Sequence, residues 1–310
     1  MNALEWTLVS ILLVTGITVG ALVATGIISH KKASTKLGVI TIAKNESMVI
    51  REFLKHYQRQ GVDHVHLINN GSTDDMVDIV KKEFQHFVSV WELHEPAKQV
   101  EHYNTVYEKV RHGYEWMAVV DVDEYMFGVQ EPLKDYVMKQ DKLDYISVEW
   151  TMFGSSGHVT QPDSVVEGFI HRAEGKKDEN VKSVFRTSHV YELIMHDHKR
   201  VSKTRSREHV KPDDPEIRLH HYPIMSWEYF KTVKMTRGDA DRKSSNIRNR
   251  HYFDSYDAPC TIKDTTLSDL PYLQQQEQPV MHSQHLQEHT PQTPIDPPEL
   301  DPFAEIESLE

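Results

Sequence analysis

The chain is 310 residues long with a net charge of −12; residues 273–310 hold eight acids and no Lys or Arg, which leaves −4 for everything before them. Such a chain can bury one large core or two small ones, and acidity concentrated in one tail argues against nucleic acid as the main partner. Cys260 is the only cysteine, which excludes an intrachain disulfide and a cysteine-built zinc site and leans toward a reducing compartment.

Residues 6–29 contain no charged side chain. As a helix they would span ~36 Å, enough to cross a bilayer with some tilt. A transmembrane anchor is therefore expected within residues 1–30. The run is longer than a signal-peptide core, and no basic segment precedes it. Gly16 and Gly20 would let two such helices pack closely, as in a homodimer. Glu5 precedes the span, while His30, Lys31, Lys32 and Lys36 follow it. The positive-inside rule then predicts a cytosolic catalytic domain, with the Golgi lumen as the alternative. Sequons at Asn45 and Asn70 fall in loops assigned below to the site, where glycans would block it.

After a linker at 31–36, the apolar run 37–43 predicts a strand. Residues 48–60 place Ile50, Phe53, Leu54 and Tyr57 at helical spacing, and Gly61 ends that helix. A second strand is predicted at 64–68. A helix at 74–84 follows, with Ser72 or Thr73 as its cap. A third strand at 87–93 and a helix at 100–111 come next.

Residues 117–120 are again apolar and read as a buried strand. The strand runs into Asp121-Val122-Asp123, with Glu124 directly after. Buried acids this close repel unless a cation joins them. At the carboxyl end of a central strand they suit a divalent ion that also holds a nucleotide diphosphate.

The alternation predicts an α/β, doubly wound, mostly parallel sheet. Neither a G-x-G-x-x-G nor a P-loop lysine follows the first strand, which disfavours dinucleotide oxidoreductases and P-loop NTPases. Beyond Asp123 the pattern loosens. A strand is predicted at 145–150, then a Gly/Ser loop at 153–158, then basic stretches at 198–211 and 231–250. Residues 274–310 are rich in Pro, Gln and His with few large apolars, and are expected to be disordered. The catalytic domain is thus placed at 37–273.

Three loops at successive strand ends would line one crevice in such a sheet. They carry Lys44-Asn45-Glu46, then Asn69-Asn70-Gly71-Ser72-Thr73-Asp74, then the acidic pair. Further motifs are H-Y-x-x-x-G-V-D-H at 56–64, Gln99, W-M-A-V-V-D-V-D-E-Y at 116–125, W-x-x-F-G-S-S-G at 150–157, and L-H-H-Y-P-I-M-S-W-E-Y-F-K-x-x-K-x-x-R-G at 219–238. Together they resemble glycosyltransferase family 92, a group close to family 2-like transferases, over roughly residues 37–250.

The resemblance implies a GT-A fold, a nucleotide-sugar donor (usually a uridine diphosphate hexose) and Mn²⁺ or Mg²⁺. It makes Asp123 the direct metal ligand and His221 a distant third ligand. Asp121 would face the ribose and the metal shell. Asn45, Glu46, Asn70, Ser72 and Asp74 would surround the nucleotide. Trp150, Phe153, Gly154 and Ser155 would shape the acceptor side, with Gln99 a further substrate-side candidate. Apart from the resemblance, Lys234 and Arg237 of the basic stretch at 231–250 could grip the diphosphate, lie against anionic lipid or belong to a solvated face. The expected reaction is inverting transfer of a hexose to a glycan, lipid or protein hydroxyl, deprotonated by a carboxylate. Asp197 and Glu149 are candidate bases, and nothing in the spacing singles out either.

Two alternatives belong to other classes. A nucleotidyltransferase of related fold normally carries a Gly-rich basic loop near the first strand, where this chain has K-N-E-S. A non-catalytic membrane adaptor would fit the loss of Asp121 or Asp123, and both are present.

Overall fold

The computed structural model describes residues 35–175, 180–194, 206–237 and 248–276. The expected membrane span, Asp197 and residues 277–310 of the tail expected at 274–310 lie outside the described residues; residues 274–276 instead complete a helix that starts at Pro271. Among those described, no helix is long and apolar enough to cross a membrane.

In chain order the elements are β1 (Leu37–Ala43), α1 (Ile50–Arg59), β2 (His64–Asn69), α2 (Met76–Glu83), β3 (Val88–Glu92), α3 (Gln99–Val110), β4 (Trp116–Val119), β5 (Glu124–Gly128), α4 (Leu133–Met138), β6 (Tyr145–Glu149) and β7 (Thr151–Met152). Then come α5 (Val165–Gly168), β8 (His171–Ala173), β9 (Val181–Arg186), β10 (Arg207–Val210), β11 (Ile217–His221), α6 (Trp227–Thr232), α7 (Arg250–Asp257), β12 (Cys260–Lys263) and α8 (Pro271–Gln276).

The main sheet has seven strands in the order β10-β6-β9-β4-β1-β2-β3. β1 pairs parallel with β2 and with β4, and only β9 runs antiparallel to its neighbours. Every residue of β1 is buried, as expected for a central parallel strand covered on both faces. One face carries Leu37, Val39, Trp116 and Ala118, packed in one cluster with Phe53, Leu54 and Tyr57 of α1. The opposite face carries Ile40, Ile42, Met117 and Val119, clustered with Tyr103, Val106 and Tyr107 of α3. Each fully buried aromatic contributes about 2–3 kcal/mol. The mostly parallel α/β expectation is met.

A second sheet of three strands, β5-β11-β7, branches from the end of β4. β11 runs antiparallel to β5 with His221 opposite Glu124, and parallel to β7 with His221 opposite Met152. α1 fastens this branch to the main sheet. The Tyr57 hydroxyl donates to the Glu124 carbonyl at 2.9 Å and accepts from the Met126 amide at 3.1 Å.

One local expectation is corrected. Neither Ser72 nor Thr73 caps α2, whose cap position is Asp75, with no side-chain cap bond. Ser72 Oγ instead accepts from the Asn45 amide at 3.1 Å. A tertiary partner has taken the hydroxyl that local spacing assigned to the helix.

Candidate active site

The acidic pair sits where β4 gives way to β5. The Glu124 amide donates to the Asp121 carbonyl at 3.0 Å, closing a tight turn. The Glu124 carboxylate turns back and accepts from the Asp121 amide at 2.7 Å.

Asp121 is met from two directions. Its Oδ1 accepts from the Tyr103 hydroxyl at 3.1 Å and from Gln99 Nε2 at 3.4 Å. Its Oδ2 accepts from Lys182 Nζ at 2.8 Å. The same ammonium lies 3.3 Å from Glu124 Oε2, and the Lys182 side chain is only 1% exposed. Burial raises the Asp121 carboxyl, but Lys182 outweighs it and holds the group below its ordinary value. Burial pushes Glu124 up to about 7, against the pull of Lys182. Burial would lower Lys182, yet Asp121 and Glu124 hold it above the usual range.

Asp123 has a different set of partners. Its Oδ2 accepts from Lys234 Nζ at 2.5 Å, and its Oδ1 lies 3.6 Å from His221 Nε2. Burial opposes the charge, while Lys234 and His221 hold the carboxyl well below its ordinary value. The Trp150 ring packs on His221, with centroids 4.3 Å apart. His221 Nδ1 has no hydrogen-bond partner among the described residues.

The two Asn-rich loops are laced together above β1 and β2. Asn45 adopts φ 57° and accepts from the Thr73 amide at 2.7 Å. Asp74 Oδ2 accepts from the Ser47 amide at 2.8 Å, and Asn70 Nδ2 donates to the Leu93 carbonyl at 2.9 Å. Glu46 is buried and accepts from the Tyr229 hydroxyl and from Arg237, which also donates to the Lys44 carbonyl. Burial opposes the charge on Arg237, but Glu46 raises its pKa above the ordinary value. Thus Arg237 joins the K-N-E loop to the segment that carries Lys234.

The remaining candidates divide. Gln99 and Trp150 lie against the acidic pair and His221 respectively. Phe153 is buried between the rings of His220 and Tyr222, at 4.5 and 4.8 Å. The Ser155 amide donates to Asp257 Oδ1 at 2.6 Å, and a Cβ on Gly154 would meet that oxygen at 2.7 Å. The Gly/Ser loop is therefore a packed junction with α7. Glu149 is buried and shares a 2.5 Å hydrogen bond with His209, a half-exposed side chain. The other candidate base, Asp197, lies outside the described residues.

No group of three or more His, Cys, Asp or Glu that could hold a metal ion occurs among the described residues. The expected trio is brought together only in part. Asp123 and His221 adjoin, while Asp121 is turned to Lys182, Gln99 and Tyr103. An oxygen and an imidazole nitrogen 3.6 Å apart fit one small divalent ion, whose ligand distances are about 2.1 Å. That pair fits a metal; a further donor would have to come from a ligand or from water.

Sequence reasoning missed Lys182, Tyr103, Tyr229 and His209. For Lys182 a signal exists. A lysine inside the run Val181-Lys182-Ser183-Val184-Phe185, which reads as a buried strand, needs a buried anion.

Residues 39–258 match the model of glycosyltransferase family 92. The match spans more than half of the chain, and the chain belongs to that family. A family 92 protein of Oryza sativa subsp. japonica is 20% identical over 209 residues, covering 65% of this chain and 35% of its own length. The chain thus spans about a third of the length of that curated relative. Among solved structures, S. aureus TarS 1–349 in complex with UDP-GlcNAc is 16% identical, covering 72% of this chain and 73% of that one, with a TM-score of 0.44. Mycobacterium tuberculosis glucosyl-3-phosphoglycerate synthase in complex with Mn²⁺, UDP and glucosyl-3-phosphoglycerate is 14% identical, covering 37% of this chain and 44% of that one, with a TM-score of 0.29.

Proposed function

We propose that this family 92 member is a metal-dependent, inverting hexosyltransferase using a nucleotide-sugar donor, most simply a UDP-hexose. The observation that carries the reading is the acidic pair at the carboxyl end of β4, with His221 facing Asp123, the buried cations Lys182 and Lys234 on the two acids, and the partly exposed Arg237 on Glu46. Asp123 and His221 would hold a divalent ion. When bound, the ion supplies a positive charge that stabilises the leaving diphosphate.

The chain's own groups do the rest. Lys234 and Arg237 offer charge to phosphate oxygens. Tyr103 and Gln99 fix the rotamer of Asp121, the residue assigned to the ribose. Trp150 presents an aromatic face beside His221 to the sugar side. Glu149, hydrogen-bonded to His209, is the described candidate for taking the acceptor proton, and Asp197 is the other.

We place the domain on the cytosolic face of a membrane, anchored by residues 6–29 and able to pair through Gly16 and Gly20. The support is the flanking charge at Lys31, Lys32 and Lys36. Protease added to sealed membranes from the cytosolic side should digest the domain; protection there would move it to the lumen.

The activity is tested on the full chain in mild detergent, incubated with UDP- and GDP-hexoses and Mn²⁺. At least one UDP-sugar should be turned over, and a chelator should stop it. Lack of turnover with every donor, or turnover indifferent to Asp123→Asn, would overturn the reading.

A further inference from the structure

The two acids of the site hold their lysines differently. Lys182 is shared by Asp121 and Glu124, at 2.8 and 3.3 Å, and rises from the middle of the main sheet. Lys234 contacts one carboxylate, that of Asp123, and is carried by a single turn at Lys234–Thr236 after the six-residue α6. Asp123 is also the acid that faces His221. The Lys234 ammonium therefore occupies the carboxylate that a divalent ion would need.

The two cations cannot easily share it. Like charges a few ångströms apart in a partly desolvated site repel strongly, and a divalent ion doubles the repulsion felt by the ammonium. The charge count points the same way. The site holds four carboxylates (Glu46, Asp121, Asp123, Glu124) and three cations (Lys182, Lys234, Arg237), a formal net charge of −1 that moves toward zero as Glu124, pushed up to about 7, takes a proton. A divalent ion alone would turn this buried cluster positive. An ion arriving with a diphosphate of charge −2 leaves it unchanged.

We infer that Lys234 is an exchangeable counter-cation, seated on Asp123 until a nucleotide diphosphate draws it away, so that divalent ions bind this site only together with the donor. The inference rests on the nucleotide-sugar reading of the site. It makes Lys234 a positioning residue that couples donor to ion, and linkage requires the coupling to be reciprocal. Its neighbours suit the exchange. Lys234 Nζ lies 5.7 Å from the Tyr229 ring centroid, and Arg237 clamps the far end of the turn to Glu46 and the Lys44 carbonyl. The exchange would then be a movement of the Lys234 side chain alone, with the end of the turn held by Arg237.

The test measures Mn²⁺ binding to the full chain by the loss of free-Mn²⁺ paramagnetic signal, with and without UDP. The wild type should bind Mn²⁺ at least about tenfold tighter with UDP than without, a typical coupling magnitude. Lys234→Met should bind Mn²⁺ alone at least tenfold tighter than the wild type, and the UDP effect should shrink toward unity. Lys234→Arg should keep the wild-type coupling. Lys234→Gln is read in the same way as Lys234→Met if the latter fails to unfold cooperatively. Equal wild-type affinity for Mn²⁺ with and without UDP overturns the inference, as does unchanged Mn²⁺ affinity in both neutral variants. Absence of UDP binding by the wild type at any Mn²⁺ concentration instead overturns the nucleotide-sugar reading itself.

Discussion

The two ends of the acidic triplet are built to different standards of permanence. At Asp121, the side chains that meet the carboxylate come from the main sheet and the helix packed on it: Lys182 from β9, Tyr103 and Gln99 from α3. At Asp123, the partners come from the branch sheet and the short turn after α6, namely His221 and Lys234. Lys182 serves two carboxylates and Lys234 one. The difference teaches that a pair of acids one residue apart can split structural and chemical duties. A charge pair sealed into a core fixes geometry; removing one partner strands the other. A pair held by one short turn is the one that can exchange.

The sharpest break falls on Asp123. Asp123→Asn should reduce sugar transfer about 10²–10³-fold, as the loss of one charge-stabilising group does in other sites, read as kcat/KM with the donor that is turned over. Asp121→Asn should match it only if both acids serve the donor equally.

Stability should separate the lysines. Lys182→Met leaves Asp121 and Glu124 without their shared cation and should cost about 3 kcal/mol in chemical denaturation. Lys234→Met should cost less than about half of that, since His221 still faces Asp123. Equal costs would erase the distinction between the two ends.

Acid should also act on the scaffold, away from Asp121 and Asp123. His56, fully buried against the Met126 carbonyl at 2.9 Å, is pushed down to about 4 by burial, from an ordinary 6.5. Its folded pKa is depressed, so the unfolded chain binds the proton first. Stability is then full above about pH 6.5 and falls as pH drops toward 4, by about 2 kcal/mol at pH 5 from this group. Asp121 and Asp123 lie below the ordinary carboxylate range and stay charged across that window. The loss measured by denaturation between pH 7 and pH 5 should therefore shrink in His56→Gln.

The smallest effect is expected from the tail. Truncation after Gln276 should change neither transfer rate nor unfolding free energy by more than about 0.5 kcal/mol, because residues beyond it carry few large apolars to bury. A larger loss would tie the acidic tail to one end of the pair.

Much of the first half was legible in the chain, because period and packing agree there. The strand expected at 37–43 is the one observed, and Gly61 ends α1 with φ +74°. The predicted loops after β1 and β2 do meet, through Asn45, Ser47, Ser72, Thr73 and Asp74. What stayed hidden was whatever depends on distant pairing. Ser72 looks like a helix cap until Asn45 is seen beside it. The strands of the branch sheet run two to five residues, too short for a period to declare itself. Lys182 is separated from Asp121 by 61 positions. A lysine in an apolar strand says that it has a partner, and only the sheet order says which.

β9 has a consequence for biosynthesis as well. It pairs on one side with β4 and on the other with β6, so a growing chain makes β4 well before its neighbour exists. The gap from Val119 to Val181 is about 60 residues, or roughly 3–12 s of synthesis at about 5–20 residues per second. For that interval the free edge of a central, fully apolar strand can pair with any other nascent chain that offers an edge. Shielding the edge of β4 until residues 181–186 emerge is therefore a requirement of biosynthesis separate from the stability of the finished sheet.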